Sequence, residues 1–113
     1  MMLILNNQNV RDLLAIEDVI DVLEFAYQEL AEGRGALRRR SDTIVKSDTA
    51  PDAIYALKSM DGIAPSLGVS AIRINSDIIT HPKVGENIRR VKVPAAPGNR
   101  YTGLVLLFST ETG

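Results

Sequence analysis

The chain contains no cysteine, which excludes a disulfide framework, a zinc knuckle and a thiol nucleophile. Aromatic residues make up only 4% of the sequence, so a core must be built mainly from Val, Ile, Leu and Ala. The opening apolar run, residues 1–5, is too short to cross a bilayer and follows no charged segment. We therefore expect a cytoplasmic protein with no signal peptide and no membrane partner.

Several sequence signatures of catalysis and cofactor binding are also missing. The chain has no nucleophile elbow, no P-loop and no glycine-rich dinucleotide turn. Its one histidine, His81, precedes Pro82 in a loop and belongs to no recognisable metal-ligand motif. The residues alone therefore indicate no catalytic group, no metal site and no cofactor site in this chain.

What the sequence does contain is enough apolar material for one folded domain. The apolar fraction is 45%, and 113 residues fit a single domain spanning residues 1–113. The formal net charge is −1, but residues 1–32 are acidic whereas residues 33–46 and 81–100 are basic. The later basic stretch lacks interleaved aromatic residues for base stacking, so we expect no nucleic-acid partner, and a basic-loop nucleic-acid binder is kept only as an alternative.

Hydrophobic periodicity predicts helices in the first part of the chain. Residues 1–5 are typical of a short buried strand, and Asn6 can cap a turn of helix after it. Apolar side chains then recur at helical spacing over residues 16–30, with acidic residues mostly on the other face, which predicts an amphipathic helix. Gly33 and Gly35 are expected to end this helix by permitting a left-handed backbone.

After residue 35 the pattern changes to a period of two, which predicts strands at residues 43–45, 53–60 and 68–75. Residues 104–108 form a continuous apolar run that suits a central strand buried on both faces. Residues 76–103 are rich in proline and glycine and are interpreted as a long basic loop. The sequence therefore predicts an α+β fold, in which an amphipathic helix packs on a mostly antiparallel sheet.

Arg38, Arg39 and Arg40 lie where the helix gives way to the sheet. An arginine fork can bind a carboxylate or a phosphate through two parallel hydrogen bonds. A run of charges can equally be a solvated loop, so both interpretations stay open.

Two further cations stand inside predicted strands. Alternation places Arg73 and Asn75 on one face near a strand end, where they could grip an α-carboxylate, although Arg73 could instead extend past the sheet into solvent. Lys58 poses the same question. A part-buried lysine can contact a substrate or form an imine, and the alternative is that Lys58 marks the exposed face of its strand.

Taken in order, these pieces resemble the amino-terminal half of the ornithine cyclodeaminase/mu-crystallin family. The resemblance covers essentially the whole chain, and its strength lies in order and spacing rather than in one diagnostic motif. Its most specific points are residues 38–40, Met60, residues 68–75, residues 104–108 and the final segment 111–113.

The resemblance implies that an arginine at the sheet opening and a lysine on a later strand hold the carboxylate of the substrate. The arginine position matches Arg40 best, with Arg39 as a close competitor. The lysine position matches Arg73, which is a departure from the family pattern, and Lys58 could compensate for it. This departure bears on the substrate rather than on the fold, and it admits a larger or doubly anionic substrate.

The family reaction, as the resemblance implies it, oxidises the Cα of an amino acid by hydride transfer to NAD or NADP, or reduces a ketimine. In the family, the dinucleotide site and a catalytic Asp belong to a Rossmann domain that would follow Gly113. We therefore expect this chain to be a truncated amino-terminal part, a substrate-binding and dimerisation domain, of an oxidoreductase or lyase of amino acid metabolism. No cofactor is expected in the chain itself. The alternative is a stand-alone, non-enzymatic module that binds a small anion or oligomerises.

Overall fold

The computed structural model describes residues 2–113 and has the α+β fold that the sequence predicts. In this part of the chain both α-helices precede all of the strands. The elements are α1 (Asn7–Leu13), α2 (Ile16–Ala31), β1 (Ala36–Leu37), β2 (Ser41–Lys46), β3 (Ile54–Ala64), β4 (Val69–Thr80), β5 (Lys83–Val84), β6 (Asn87–Ile88), β7 (Val91–Val93) and β8 (Thr102–Ser109).

The centre of the main sheet is the long antiparallel pair β3 and β4. A 3₁₀ turn, Pro65–Leu67, connects the two strands, and Gly68 closes this turn with a φ of +66°, a left-handed conformation that glycine adopts without steric cost. β1 and β2 pair with the outer edge of β3, whereas β7 and β8 pair with the outer edge of β4. Each of these pairings is antiparallel, so the predicted sheet type is confirmed.

α2 packs against the sheet through its last turn. Glu29 is buried, and its Oε1 accepts a hydrogen bond of 3.0 Å from the backbone N–H of Ser66, in the turn between β3 and β4. Gly33 follows the helix with a φ of +75°, as predicted. Gly35 is not left-handed, so that prediction is wrong. A Cβ at Gly35 would lie 3.3 Å from the carbonyl oxygen of Ile63, so the glycine instead lets the chain approach β3 closely.

The predicted apolar face of α2 is largely uncovered within the described chain. Val19, Ala26 and Leu30 are half-buried, whereas Ile16 and Tyr27 are 64% and 68% exposed. The helix is amphipathic in sequence, but it meets the sheet with its end rather than along its length.

The amino-terminal segment departs from the prediction. Residues 2–5 form no strand and are exposed, so the predicted buried strand over residues 1–5 is wrong for the described part, and Met1 lies outside the described residues. An apolar run becomes a strand only when a neighbouring backbone satisfies its hydrogen bonds, and within residues 2–113 no strand pairs with this segment. Asn6 does cap α1, because its side chain accepts hydrogen bonds from the backbone N–H groups of Gln8 and Asn9.

The apolar run 104–108 lies in β8, and its predicted burial on both faces is wrong. β8 pairs with β4 alone, so among the described residues it is an edge strand. Val105 and Leu107 on one face are 58% and 67% exposed, and Leu104 on the other face is 55% exposed. The composition of the run indicates burial, but the chain supplies no layer that covers it.

Residues 76–103 are more regular than the predicted loop. β4 continues to Thr80, and after two further residues β5 and β6 form a hairpin. β7 then pairs with β4. Gly85 makes the hairpin turn with a φ of +64°. The period-two alternation of β4 continues beyond residue 75, the last residue of the predicted strand.

Few apolar residues of the described chain are fully buried, namely Ala53, Ala56 and Ile79. A domain of this size leaves a large share of its surface in water, and here large aliphatic side chains on α2 and β8 are part of that surface. In residues 2–113, no helix combines the length and the apolar character that a membrane span requires.

Candidate functional site

The candidate site lies on one face of the two central strands. The register of the sheet sets Lys58 opposite Asn75 and Met60 opposite Arg73. Side chains two residues apart on a strand point to the same face, so these four side chains share one face. On the neighbouring strand β2, Asp42 is paired with Lys58 and extends the row. A polar row therefore crosses three strands.

A cavity of about 130 Å³ opens at this row. It brings together all three residues that the sequence analysis selects, and its lining consists of Arg40, Lys58, Ser59, Met60, Arg73, Asn75 and Lys92. Four of these side chains are cationic and none is acidic. A small anion is the class of ligand that such a lining attracts.

Lys58 and Lys92 meet at one carboxylate. Nζ of Lys58 lies 2.6 Å from Oδ2 of Asp77, and the two side chains are only 9% and 1% exposed. Nζ of Lys92 reaches the same oxygen at 3.0 Å, but the Lys92 side chain is 46% exposed because it comes from the short strand β7 at the sheet edge. The single carboxylate of Asp77 therefore forms ion pairs with two ammonium groups.

The ionisation of Asp77 follows from this arrangement. Burial opposes the charged form of Asp77, but hydrogen bonds from Lys58 and Lys92 and the attraction of their charges outweigh it, so the pKa of Asp77 lies below its ordinary value. Asp77 is therefore an anion at neutral pH and contacts both lysines.

The structure excludes one of the alternatives that the sequence leaves open for Lys58. The interpretation as a solvent-facing residue on an exposed strand face is wrong, because the register turns Lys58 towards Asp77 and buries it. Nζ of Lys58 is engaged with the Asp77 carboxylate at 2.6 Å, so it is not free to approach a substrate carbonyl. The geometry accordingly favours an electrostatic role over a nucleophilic one.

The three clustered arginines have different environments. Nε and a terminal nitrogen of Arg40 lie 2.8 and 3.0 Å from the two carboxylate oxygens of Asp42, a two-pronged pair that holds Arg40 at the cavity. Nε of Arg38 donates to Asp61 at 2.6 Å, and Asp61 is on the opposite face of β3. Arg39 is exposed and does not line the cavity. Of the two competing positions, Arg40 is the one that the fold brings to the cavity.

Arg73 is the cavity arginine with the fewest internal partners. It is exposed, and within residues 2–113 no carboxylate lies at ion-pair distance from its guanidinium group. Asn75, two residues along β4, lines the same cavity and adds an amide. The donors of Arg73 are thus available to a ligand.

Sequence reasoning misses two members of this site, Asp77 and Lys92. Asp77 continues the alternation of Arg73 and Asn75 by one further step. Extending the predicted strand 68–75 by two residues would therefore place Asp77 on the same face. Lys92 gives no comparable signal, because its position depends on β7 returning to β4 across the proline-rich segment. The sequence shows that Lys92 is charged, but only the strand order of the sheet shows that it lies at the cavity.

In the described part of the chain, no group of three His, Asp or Glu side chains is placed to hold a metal ion. Comparison with protein families, with curated protein sequences and with solved structures gives no match for this chain. The functional assignment therefore depends on the cavity and on the resemblance.

Proposed function

We propose that the cavity binds the carboxylate of a small amino-acid or keto-acid substrate. The observation that carries this proposal is that Arg40, Lys58 and Arg73 line one cavity of about 130 Å³. The resemblance to the ornithine cyclodeaminase/mu-crystallin family selects the positions of Arg40 and Arg73 independently of any geometry. The cavity and the resemblance thus select the same two arginines.

The chemistry of the cavity suits a carboxylate. Arg73 has no carboxylate partner within residues 2–113, and its planar fork can donate two parallel hydrogen bonds to one ligand carboxylate. Arg40 is held in position by Asp42 and keeps further N–H donors, because a guanidinium group has five. Lys58 adds positive charge from the strand between them. Lys58 and Arg73 would therefore hold the substrate carboxylate from two strands of the sheet, and Arg40 from the segment just before β2.

In this proposal the chain is the substrate-binding part of an NAD- or NADP-dependent enzyme of amino acid metabolism. The proposal places the dinucleotide outside this chain, since in residues 2–113 no strand leads into an α-helix through a glycine-rich turn that could present amides to a pyrophosphate. The residues of the chain would position the substrate, and hydride transfer would need a dinucleotide held elsewhere.

We propose further that a second copy of the chain covers the strand β8. The outer edge of β8 pairs with no other strand in the described chain, and the side chains on both its faces are exposed, with Leu107 at 67%. An unpaired apolar edge strand is a ready template for another chain. A homodimer in which β8 is covered would remove this surface from water.

Calorimetry with L-alanine and with pyruvate tests the carboxylate site. Arg73→Ala should weaken binding of both by at least about tenfold, equivalent to about 1.4 kcal/mol. Arg39→Ala, which removes an exposed arginine outside the cavity, is the matched control and should bind like the parent. Unaltered affinity in the Arg73→Ala variant would overturn the proposal.

The coding sequence beyond Gly113 separates the two settings in which such a cavity could serve. A continuing frame with a glycine-rich dinucleotide turn supports the enzyme. A stop codon at that point supports a stand-alone anion-binding or oligomerisation module.

A further inference from the structure

We infer that the cavity selects a small dicarboxylate, with Lys92 contacting the second carboxylate. This inference rests on the proposed function, because it assigns a substrate class to the same cavity. It starts from the balance of charges around the cavity and from the different freedom of its two lysines.

The internal partners of the cavity leave two positive charges uncompensated. Four cationic side chains line it, while two carboxylates pair with them: Asp42 with Arg40, and Asp77 with both lysines. The charges that remain are Arg73 and one of the two lysines. A ligand with two negative charges matches this remainder, whereas a single carboxylate neutralises only half of it.

Lys92 is the lysine that can turn to a ligand. Lys58 is 9% exposed and lies 2.6 Å from Asp77, so leaving that carboxylate would strand a buried charge. Lys92 is 46% exposed and lies 3.0 Å from the same oxygen. Its flexible stem can therefore move the ammonium group to a ligand while Lys58 stays on Asp77.

The two uncompensated charges come from different points along the sheet. Lys92 is paired with Ile79, which lies six residues along β4 from Arg73, roughly 20 Å between the Cα atoms of Arg73 and Ile79 at strand spacing. The long side chains of both Arg73 and Lys92 nevertheless line the same cavity. Two separated carboxylates fit this arrangement better than the compact charge of a phosphate.

Binding of butyrate and succinate to the full chain tests the inference, because both are four-carbon acids and differ by one carboxylate. Succinate should bind at least about tenfold more tightly, a factor that corresponds to about 1.4 kcal/mol. Lys92→Gln should weaken the binding of succinate much more than the binding of butyrate, and so remove this preference. Lys83→Gln, in the exposed hairpin away from the cavity, should retain the preference.

Equal affinities for the two acids, or a Lys92→Gln variant that weakens both alike, would overturn the dicarboxylate selectivity while leaving the carboxylate site intact. Inorganic phosphate that binds more tightly than succinate would contradict the separation of the two charges. Absence of binding by either acid would overturn the proposed carboxylate site together with this inference.

Discussion

Lys58 and Asp77, on the two central strands, form the most buried ion pair among residues 2–113, with Nζ of Lys58 2.6 Å from Oδ2 of Asp77. The two side chains are 9% and 1% exposed. Removing one partner of a buried pair leaves an uncompensated charge, which is more costly than the pair is favourable. The pair therefore links the stability of the sheet to the charge of the cavity.

Asp77→Asn should destabilise the fold more than Lys58→Met does. Asparagine keeps the shape of the side chain but leaves Lys58 without its counter-charge, at a cost on the order of 3 kcal/mol. Lys58→Met still leaves Lys92 at 3.0 Å from the carboxylate, so its cost should be smaller. Urea unfolding measures both variants. A Lys58→Met variant that loses as much stability as Asp77→Asn would contradict the shared carboxylate.

Acid should destabilise the protein through two buried carboxyl groups. The hydrogen bond from the side chain of Ser66 outweighs burial and holds the pKa of Glu29 below its ordinary value, and the lysines do the same for the pKa of Asp77. In the unfolded chain both groups titrate near pH 4. The unfolded state therefore takes up protons first as the pH falls.

The stabilisation is fully present above the unfolded pKa values, and it is lost as the pH falls through the lower pKa values of the folded state. The free energy of unfolding should accordingly decline below about pH 5. Asp77→Asn should make this decline shallower when stability is measured at a series of pH values. An identical pH dependence in the variant and the parent would count against the role of Asp77.

The chain alone should not bind NAD or NADP. No strand in residues 2–113 leads into an α-helix, so the backbone amides that usually hold a pyrophosphate are not arranged for it. Calorimetry of the isolated chain should show no saturable heat in the micromolar range. Saturable binding there would contradict the expectation.

The chain should form a dimer that depends on β8. Leu107→Lys places a charge on an exposed apolar strand and should shift the protein towards monomer in sedimentation experiments. Ile88→Lys is the matched control, because Ile88 is 73% exposed but lies in the separate hairpin of β5 and β6. A parent protein that remains monomeric at high micromolar concentration would exclude the dimer.

The sequence predicts the fold class because both periodicities are clear. α2 begins at Ile16 as the helical spacing indicates, and the alternation of Arg73 and Asn75 gives the correct face of β4. The predictions are wrong for segments whose structure depends on contacts with other parts of the chain. Residues 2–5 form no strand because no backbone in the described chain pairs with them. β8 is an edge strand because it pairs with β4 alone, and its faces are exposed because no other part of the described chain covers them.

The candidate site is predictable to a similar degree. Arg40 can be selected from the sequence because it belongs to an arginine cluster between the helix and the sheet, and Lys58 and Arg73 because they are cations inside predicted strands. The resemblance points to Arg40 and Arg73. Burial of Lys58 by Asp77 needs the register between β3 and β4, and the approach of Lys92 needs the return of β7. Neither the register between β3 and β4 nor the pairing of β7 with β4 can be deduced from the spacing of residues along the sequence.

We propose that Arg40 and Arg73 hold one carboxylate between them, and the Nε–Hε signals of a ¹⁵N-labelled chain test this claim. During a titration with L-alanine, the signals of Arg40 and Arg73 should shift along one saturable curve, because both guanidinium groups line the same cavity. The signal of Arg39, outside the cavity, should stay in place. Signals of Arg40 and Arg73 that do not saturate, or that shift no more than the signal of Arg39, would contradict the claim.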